Sequence, residues 1–259
     1  MSNEPVTFRR LFPESAEVSV EDLLGSLDLG ARASGRRPYT FVNFVASADG
    51  RASYAGRSGA LGDDGDHAMF HGLRESADAV MAGTVTLSTE SYGRILGTAE
   101  RRARRAARGQ SPEPLAVVIT RSGEVPTEIP LFAEPEARIV IFTASALRLG
   151  SAAAQVEVVA LDPSELTLTT ALRRLRADFG VRTLLCEGGP TLFGALVRET
   201  LVDELFLTLA PKLVGGGNGP AVTSGAELPE LQPLRIEWLL ERHGSLYVRY
   251  ALAARGAEQ

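Results

Sequence analysis

Short apolar runs, separated by segments of helical pattern, repeat through the middle of the chain. The clearest run, Tyr39 to Ser47, is aromatic and β-branched and ends at Asp49-Gly50, which is typical of a strand that closes in a turn. Further strands are predicted at residues 79–82, 115–119, 138–142, 156–160 and 182–186, and helices at residues 63–76, 144–151, 163–179 and 190–200. Continuous apolar strands that alternate with helices predict an α/β fold with a mostly parallel central sheet flanked by helices.

The two ends of the chain do not follow this alternation. Residues 1–38 carry one predicted short helix, near residues 20–27, and end in the breaker Gly35-Arg36-Arg37-Pro38, so we expect an N-terminal extension. After Val202 three strands are predicted, at residues 205–209, 235–240 and 246–253. The last two have no helix between them. We therefore expect a C-terminal antiparallel hairpin that completes a domain of residues 39–254, followed by a tail of residues 255–259.

Composition restricts the class of protein and its surroundings. The 259 residues are 44% hydrophobic and 23% charged, with a formal net charge of −5, which fits a globular protein and argues against a dedicated nucleic-acid binder. No segment approaches the roughly 18 apolar residues that a membrane span needs. Cys186 is the one cysteine, which excludes an internal disulfide and a thiolate zinc site and indicates a cytoplasmic protein. Lys212, the one lysine, is expected to make a structural contact with the neighbouring glycine loop.

Two groups of basic side chains have structural interpretations. Five arginines lie between Glu100 and Arg108 with alanines among them, which is typical of a solvated surface helix; steering of a phosphate is the alternative. His67 and His71 lie one helical turn apart but lack the His-Glu-x-x-His pattern of a zinc site. We therefore predict no metal site.

Three turns that directly follow predicted strands combine glycines with hydroxyl side chains, a composition that suits the binding of a phosphate group. They are Gly83-Thr84-Val85-Thr86, Gly188-Gly189-Pro190-Thr191 and Thr120-Arg121-Ser122. Glycine lets a phosphate approach the backbone, and free amides at a helix start can donate to it. Ligands of open α/β sheets bind at the carboxyl ends of the strands, so we predict a dinucleotide here, with Arg121 on a ribose 2′-phosphate. The G-x-G-x-x-G fingerprint is absent.

Five segments of the chain form a recognisable set. They are Ala46 to Arg51, the Gly83 turn with Tyr92-Gly93, Glu187 to Leu192, Leu201 to Leu205, and Ala210 to Gly216. Together they resemble the reductase domain of the bifunctional riboflavin-biosynthesis deaminase/reductase, over residues 39–254. The resemblance implies a dihydrofolate-reductase-like fold, NADPH as cofactor, a homodimer, and hydride transfer to the sugar C1′ of 5-amino-6-(5-phosphoribosylamino)uracil. One cysteine cannot supply the Pro-Cys-x-x-Cys ligands of the zinc deaminase half.

The same resemblance implies roles for individual residues. The cofactor would contact Val45, Ala46, Gly83, Thr84, Thr86, Glu90, Thr120, Arg121, Ser122, Gly188, Gly189, Pro190, Thr191, Leu192 and Phe193. The substrate would contact Ser47, Asp49, Ser58, Arg74, Arg94 and Glu187. The chain departs from the family at Asn43, where lysine is usual, and near Ala60, where a tryptophan-type residue is usual.

A second, shorter resemblance concerns Asp66. The segment Asp66-His67-Ala68-Met69-Phe70 is similar to the Asp-x-Ala-x-Phe of dihydrofolate reductases, whose aspartate hydrogen-bonds the pteridine. We predict that Asp66 contacts the substrate and that Asp66 and Glu187 are catalytic, with burial raising the pKa of Asp66 so that it acts as a general acid. In the structural interpretations, Asp66 belongs to an acidic helix start and Glu187 is held by a helix dipole.

Three functions are consistent with these observations. The leading hypothesis is an NADPH-dependent pyrimidine reductase of riboflavin biosynthesis. The first alternative is a dihydrofolate or pterin reductase on the same fold, and the second is a non-catalytic NADP-binding module. The expected partners are a small pyrimidine or pterin and a second copy of the chain, with no nucleic acid and no membrane.

Overall fold

Eleven strands form a single sheet with helices on both faces, in a computed structural model that describes residues 6–147, 149–217 and 219–253. The strands are β1 (Thr7–Phe12), β2 (Ala16–Ser19), β3 (Tyr39–Ser47), β4 (Ala79–Met81), β5 (Leu115–Thr120), β6 (Arg138–Thr143), β7 (Gln155–Ala160), β8 (Thr183–Cys186), β9 (Glu204–Ala210), β10 (Leu234–Arg242) and β11 (Ser245–Leu252). The helices of the described residues are α1 (Val20–Gly25), α2 (Asp64–Ser76), α3 (Thr84–Thr89), α4 (Ala99–Ala107), α5 (Pro130–Ala133), α6 (Leu168–Asp178) and α7 (Pro190–Arg198). The predicted tail, residues 255–259, lies outside the described residues.

Seven adjacent strands form a continuous parallel region, in the order β9-β3-β8-β4-β5-β6-β7. Neighbouring residues of β3 divide between two cores: Phe41 packs in the cluster that contains Leu73 of α2, and Val42 in the cluster that contains Phe193 of α7. Helices α1, α2, α3 and α5 cover the first face, and α6 and α7 the second. Burial on both faces explains the uninterrupted apolar runs of the sequence. The predicted α/β class is confirmed.

The remaining strands form an antiparallel arm, in the order β9-β11-β10-β1-β2. The predicted C-terminal hairpin is β10 and β11, joined at His243 and Gly244, which both have positive φ, as a tight two-residue hairpin turn requires. Strands β1 and β2 lie in the predicted extension and were not anticipated, because Thr7–Phe12 buries mainly Phe8 and is otherwise polar or exposed. The N-terminal segment therefore forms one edge of the sheet.

Two helix predictions need correction. Of the predicted helix at residues 144–151, residue 148 lies outside the described residues and the others are not helical. There the Thr143 hydroxyl accepts from the Ser145 amide at 3.1 Å, and the Ser145 hydroxyl donates to the Arg121 carbonyl at 2.8 Å. Such side-chain bonds compete with the helical hydrogen-bond pattern. The helix predicted from residue 163 begins only at Leu168, because the Thr167 hydroxyl caps it by accepting from the Thr170 amide.

The arginine-rich segment forms helix α4, but not a fully solvated one. Arg105 is 1% exposed and donates to the carbonyls of Glu75, Ala77 and Ser111. Arg101, Arg104 and Arg108 converge on the buried carboxylate of Glu75. The interpretation as a solvated helix was therefore wrong for the side chain that anchors α4 to the end of α2.

Candidate active site

The three predicted turns follow three adjacent parallel strands, β8, β4 and β5. Two of them touch: the Gly83 amide donates to the Gly188 carbonyl at 2.9 Å, and the Glu187 amide donates to the Met81 carbonyl at 2.9 Å. Strand β3, which carries Val45, lies on the other side of β8. The structure therefore brings the carboxyl ends of four neighbouring strands together, which is where ligands of open α/β sheets bind.

A cleft of about 510 Å³ opens beside these strand ends. Of the predicted site residues, it is lined by Val45, Ser58, Asp66, Arg74, Thr86, Glu90, Glu187, Gly189 and Pro190. Its wall also includes residues that were not assigned to the site, among them Asn43, Phe44, Phe70 and Tyr92. Tyr92 belongs to one of the segments on which the family resemblance rests, and that resemblance is the feature of the sequence that could have placed Tyr92 in the site.

The turn Gly188-Gly189 has room for backbone only. Gly188 has φ +101°, a conformation that favours glycine, and a Cβ on Gly189 would lie 3.0 Å from the Thr86 hydroxyl oxygen. Helix α7 starts here with Gly189 as N-cap and Pro190 as its first residue, and no side chain caps its amides. This start is suited to an anionic group of a cofactor, because uncapped amides carry the positive end of the helix dipole.

Glu187 is bound within a buried cluster of side chains. The Arg74 guanidinium donates through Nε and Nη2 to the two carboxylate oxygens, at 2.6 and 2.7 Å, and the Tyr92 hydroxyl donates to Oε2 at 2.7 Å. Arg74 also donates to the Ile95 carbonyl at 3.0 Å and lies 4.1 Å from the ring centre of Phe70. The Glu187 side chain is 2% exposed. Both oxygens are therefore already in strong hydrogen bonds.

The charge of this cluster is fixed by its own partners. Burial lowers the pKa of Arg74, but the charge and hydrogen bonds of Glu187 outweigh it and raise the pKa overall. Burial and the Glu187 charge raise the pKa of Tyr92, so its hydroxyl stays protonated and continues to donate. Within the cluster, Arg74 and Glu187 pair with each other: Oε2 of Glu187 accepts two hydrogen bonds and Oε1 accepts one. The predicted catalytic role of Glu187 stays a prediction.

Asp66 lies in the first turn of α2 and has a different environment. The residue is 8% exposed, lines the cleft, and its Oδ1 has no hydrogen-bond partner among the described residues. Burial raises the pKa of Asp66 more than the Thr208 hydroxyl and the charges of His67 and Lys212 lower it. A Cβ on Gly62 would lie 2.6 Å from Oδ2, so the carboxyl group packs directly against backbone. Asp66 is thus a buried acceptor with capacity to spare.

Long-range contacts hold the start of α2 in place. Asp63 caps the helix by accepting from the Asp66 amide at 2.9 Å, and it also accepts from the hydroxyls of Ser245 and Tyr247, each at 2.6 Å. Lys212 donates to the carbonyls of three consecutive residues, Ala60, Leu61 and Gly62. The predicted structural role of Lys212 is therefore realised with a loop distant in sequence rather than with the neighbouring glycines.

Glu90 and Ser58 close one side of the cleft. Glu90 Oε1 accepts from both the amide and the hydroxyl of Ser58, at 3.1 and 3.2 Å. This contact joins the end of α3, where the cofactor was predicted, to the loop before α2, where the substrate was predicted.

Several predicted site residues lie away from the cleft lining. Both Asp49 oxygens are engaged: the Ser47 hydroxyl and the amides of Val214 and Gly215 donate to them and lower the pKa of Asp49 to about 2. Arg94 pairs with Glu113 and Glu136. The other residues outside the lining are Ala46, Ser47, Gly83, Thr84, Thr120, Arg121, Ser122, Gly188, Thr191, Leu192 and Phe193. Their assigned roles stay predictions.

The third turn is folded on itself except for its arginine. The Thr120 hydroxyl donates to the Glu124 carbonyl at 3.1 Å, and the Ser122 hydroxyl accepts from the Glu124 amide at 3.2 Å. Arg121 is exposed, and its side chain makes no ion pair or hydrogen bond within the described part of the chain.

Across residues 6–147, 149–217 and 219–253, no helix is long and apolar enough to cross a membrane. Within the same residues, no group of three or more His, Cys, Asp or Glu side chains is arranged to hold a metal ion.

Comparison with known proteins gives a consistent result. A family model described as the RibD C-terminal domain matches residues 38–243. The chain is 32% identical over 223 residues to the 2,5-diamino-6-ribosylamino-4(3H)-pyrimidinone 5′-phosphate reductase of Archaeoglobus fulgidus, covering 85% of this chain and 98% of that protein. It is 26% identical to the protein of the same name in Methanothermobacter thermautotrophicus, covering 78% of this chain and 91% of that one. A pyrimidine reductase-like protein from Corynebacterium diphtheriae shares the fold, with a TM-score of 0.75 and 24% identity over 92% of this chain and all of that one.

Proposed function

The chain belongs to the RibD C-terminal domain family, and on this premise we propose that it is a pyrimidine reductase of riboflavin biosynthesis. It reduces a ribosylamino-pyrimidine 5′-phosphate to the ribitylamino form. The observation that carries the proposal is the cleft itself, in which a glycine turn suited to a nucleotide and a buried carboxylate suited to a heterocycle meet at the ends of parallel strands.

The family implies a nicotinamide cofactor, which supplies the hydride when bound. The chain fits such a group. Gly188 and Gly189 have no side chains that would block a cofactor, and Gly189 packs closely against Thr86. The amides of α7 that follow are not capped by a side chain. We propose NADPH rather than NADH, with Arg121 on the 2′-phosphate. The exposed and unpaired state of Arg121 at the end of β5 supports this assignment.

The residues of the chain bind and orient the reactants and keep water out. Thr86 and the glycine turn border the cofactor side of the cleft, and Phe44, Phe70 and Tyr92 contribute apolar surface. The Arg74–Glu187 pair stiffens the wall, and Asp66 faces the heterocycle side. Asp66 remains the candidate to hold a proton near the substrate, since burial raises its pKa.

We further propose a homodimer in the cytoplasm. Leu234 and Ile236 of the antiparallel arm are each more than two-fifths exposed, and an apolar patch of this kind is typical of a subunit contact. Cys186, the single cysteine, is buried, as suits a protein that needs no oxidising surroundings. The domain limits of 39–254 stay a prediction, since β1 and β2, within residues 1–38, share the same sheet.

The decisive experiment measures the oxidation of NADPH with the ribosylamino-pyrimidine 5′-phosphate and, separately, with dihydrofolate. We expect turnover with the pyrimidine. Turnover with dihydrofolate alone would contradict the proposal, and none of the relatives described above is named for dihydrofolate. If neither compound reacts while NADPH still raises the melting temperature, the chain is a binding module.

The choice of NADPH is tested with one variant and a matched control. Arg121→Ala should weaken NADPH binding roughly tenfold and leave NADH binding unchanged, because the lost contact is to the 2′-phosphate. Arg138→Ala, an exposed arginine at the opposite end of the neighbouring strand β6, should change neither. Equal losses for both cofactors with Arg121→Ala would remove that residue from the phosphate role.

A further inference from the structure

A second groove, of about 740 Å³, opens at the amino ends of the parallel strands. The first residues of β5, β6 and β8, which are Leu115, Arg138 and Thr183, belong to its lining. The cleft lies at the opposite, carboxyl ends of the strands, and none of the described residues lines both. The volume of this amino-end groove is in the range of small-molecule sites in proteins, so it can hold a ligand of that size.

Arg105 of α4 lines the amino-end groove and carries a buried charge. The residue is 1% exposed, and its Nε and Nη1 donate to the carbonyls of Ser111, Glu75 and Ala77, at 2.6 to 2.8 Å. Its Nη2 makes no hydrogen bond among the described residues, and Arg105 forms no ion pair with their carboxylates. Two N–H donors of a buried cation are therefore left for a ligand in the groove.

The three backbone carbonyls do not balance this charge. Those of Glu75 and Ala77 lie at the end of α2, where a helix carries only a fraction of a negative charge. Burial lowers the pKa of Arg105 more than the charges of the nearby carboxylates raise it. A buried charge without a counter-charge is costly, so an anion bound beside Arg105 would stabilise it.

The side chains around Arg105 also favour an anion. The lining contains four arginines, Arg105, Arg108, Arg138 and Arg182, and three carboxylates, Asp28, Asp78 and Glu113. Each of these carboxylates already accepts hydrogen bonds from other parts of the chain. Arg138 and Arg182 are exposed, and neither forms an ion pair within the part of the chain that the structure describes. The positive charge of the groove contrasts with the net charge of −5 of the whole chain.

Apolar side chains complete the lining. Leu115 and Val181 are buried, Phe179 is half-buried, and Leu27 and Leu29 from the segment after α1 lie in the same groove. A planar ring can pack against such side chains while a charged group of the same molecule reaches Arg105. The groove therefore suits a ligand that joins an anion to a planar ring.

We propose that the amino-end groove is a second ligand site, which binds a phosphate monoester carrying a planar ring, of the size of a nucleoside monophosphate, with its phosphate on Nη2 of Arg105. A phosphate suits the site because its oxygens accept charge-assisted hydrogen bonds from several guanidinium groups at once, here Arg105 with the exposed Arg138 and Arg182. The proposal does not rest on the function assigned to the cleft, which lies at the other end of the strands.

Calorimetric titration of the protein with AMP tests the site. Wild type should bind AMP, and adenosine should bind at least about tenfold more weakly because it lacks the phosphate. Arg105→Met should weaken AMP binding roughly 10- to 100-fold, because it removes a buried hydrogen bond to a charged group. Circular dichroism of Arg105→Met establishes that the variant is folded.

Exposed positions give a test that does not disturb the anchor of α4. Arg138→Ala and Arg182→Ala should each weaken AMP binding roughly two- to fivefold, as expected for exposed charges. Their double variant replaces Arg105→Met if the latter does not fold. Arg173→Ala, which removes an exposed arginine of α6 outside the lining, is the matched control and should bind AMP as wild type does.

Three results would overturn the proposal. The first is the absence of AMP binding at millimolar concentration, and the second is adenosine binding as tight as that of AMP. The third is AMP binding that Arg121→Ala weakens while the Arg138→Ala/Arg182→Ala double variant leaves it unchanged, since AMP would then occupy the cofactor side of the cleft. None of these results bears on turnover of the pyrimidine in the cleft, so the proposed function is tested separately.

Discussion

Two buried carboxylates line the same cleft and are treated in opposite ways. Glu187 receives two hydrogen bonds from Arg74 and one from Tyr92, whereas Oδ1 of Asp66 receives none within the described residues. The hydrogen bonds of Glu187 offset much of the cost of burying its charge, whereas the Asp66 carboxyl group has an acceptor atom without a partner in the ligand-free protein. The comparison teaches that a carboxylate in a cleft should be judged by its unused lone pairs rather than by its burial.

The largest expected effect comes from removing the satisfied carboxylate. Glu187→Ala should lower the free energy of unfolding by about 3–5 kcal/mol, because it leaves the buried Arg74 guanidinium without its counter-charge. Chemical denaturation measures the change. The double variant Arg74→Met/Glu187→Leu is the control and should be less damaging than the single change. A single variant with wild-type stability and no activity would show that Glu187 acts on the substrate instead.

Tyr92→Phe tests the same cluster more gently. It removes one hydrogen bond to a charged group while leaving both bonds from Arg74, so the free energy of unfolding should fall by about 1.5–3 kcal/mol. Thermal or denaturant unfolding gives this value directly. The loss should shrink in the background of Glu187→Gln, since the charge that strengthens the bond is then absent. Equal losses in both backgrounds would mean that Tyr92 contributes packing only.

Asp66→Asn should act with the opposite sign on stability. Replacing the incompletely paired buried carboxylate by a neutral amide should raise the free energy of unfolding of the ligand-free protein by about 1 kcal/mol at pH 7. Asp63→Asn, at the helix cap, is the contrasting variant and should be destabilising because Asp63 accepts from three donors. A destabilised Asp66→Asn would indicate that Asp66 is as well paired as Glu187.

The smallest expected effect is the pH dependence of the difference in the free energy of unfolding between wild type and Asp66→Asn. Because the pKa of Asp66 is raised in the folded state, its contribution to stability is favourable below its unfolded pKa and is lost as pH rises through the folded pKa. The stability gap between wild type and Asp66→Asn should therefore narrow as pH falls toward about 4. Asp63, His67, Lys212 and Tyr247 lie close enough to influence the titration. A gap that is constant with pH would mean that Asp66 titrates as an exposed aspartate does.

The sequence predicted local structure well and pairing across the fold poorly. Strand β3 has the predicted bounds, because a run of consecutive apolar residues is enough to indicate a buried parallel strand. The glycine turns at Gly83 and Gly188 meet as expected, because the carboxyl ends of neighbouring parallel strands lie at the same edge of the sheet. The saturation of Glu187 depends on Arg74, 113 residues away, and the cap at Asp63 depends on Tyr247, 184 residues away. No local pattern reports such partners. The prediction that Asp66 and Glu187 are both catalytic was made without that information, and it stays a prediction.

The edges of the sheet illustrate the same limit. Strands β1 and β2 were missed because they have few buried apolar positions, and Thr7–Phe12 is a strand through its pairing with β10 on one side and β2 on the other. The helix expected at residues 144–151 fails for a local reason that was visible in principle, the hydroxyls of Thr143 and Ser145. At residues 144–147 and 149–151 these hydroxyl bonds form an irregular segment after β6 where the sequence pattern predicted a helix.

The single lysine has a practical consequence for anyone who labels or immobilises this protein. Lys212 is exposed, yet its ammonium group holds the three carbonyls of the loop that leads into α2 and Asp66. An acylating reagent that reacts there would remove the charge and most of the donors that tether this loop. The thiol offers no alternative handle, because Cys186 is completely buried and burial raises its pKa to about 12. Site-specific attachment is better made through a cysteine introduced at an exposed position away from this loop and from the cleft.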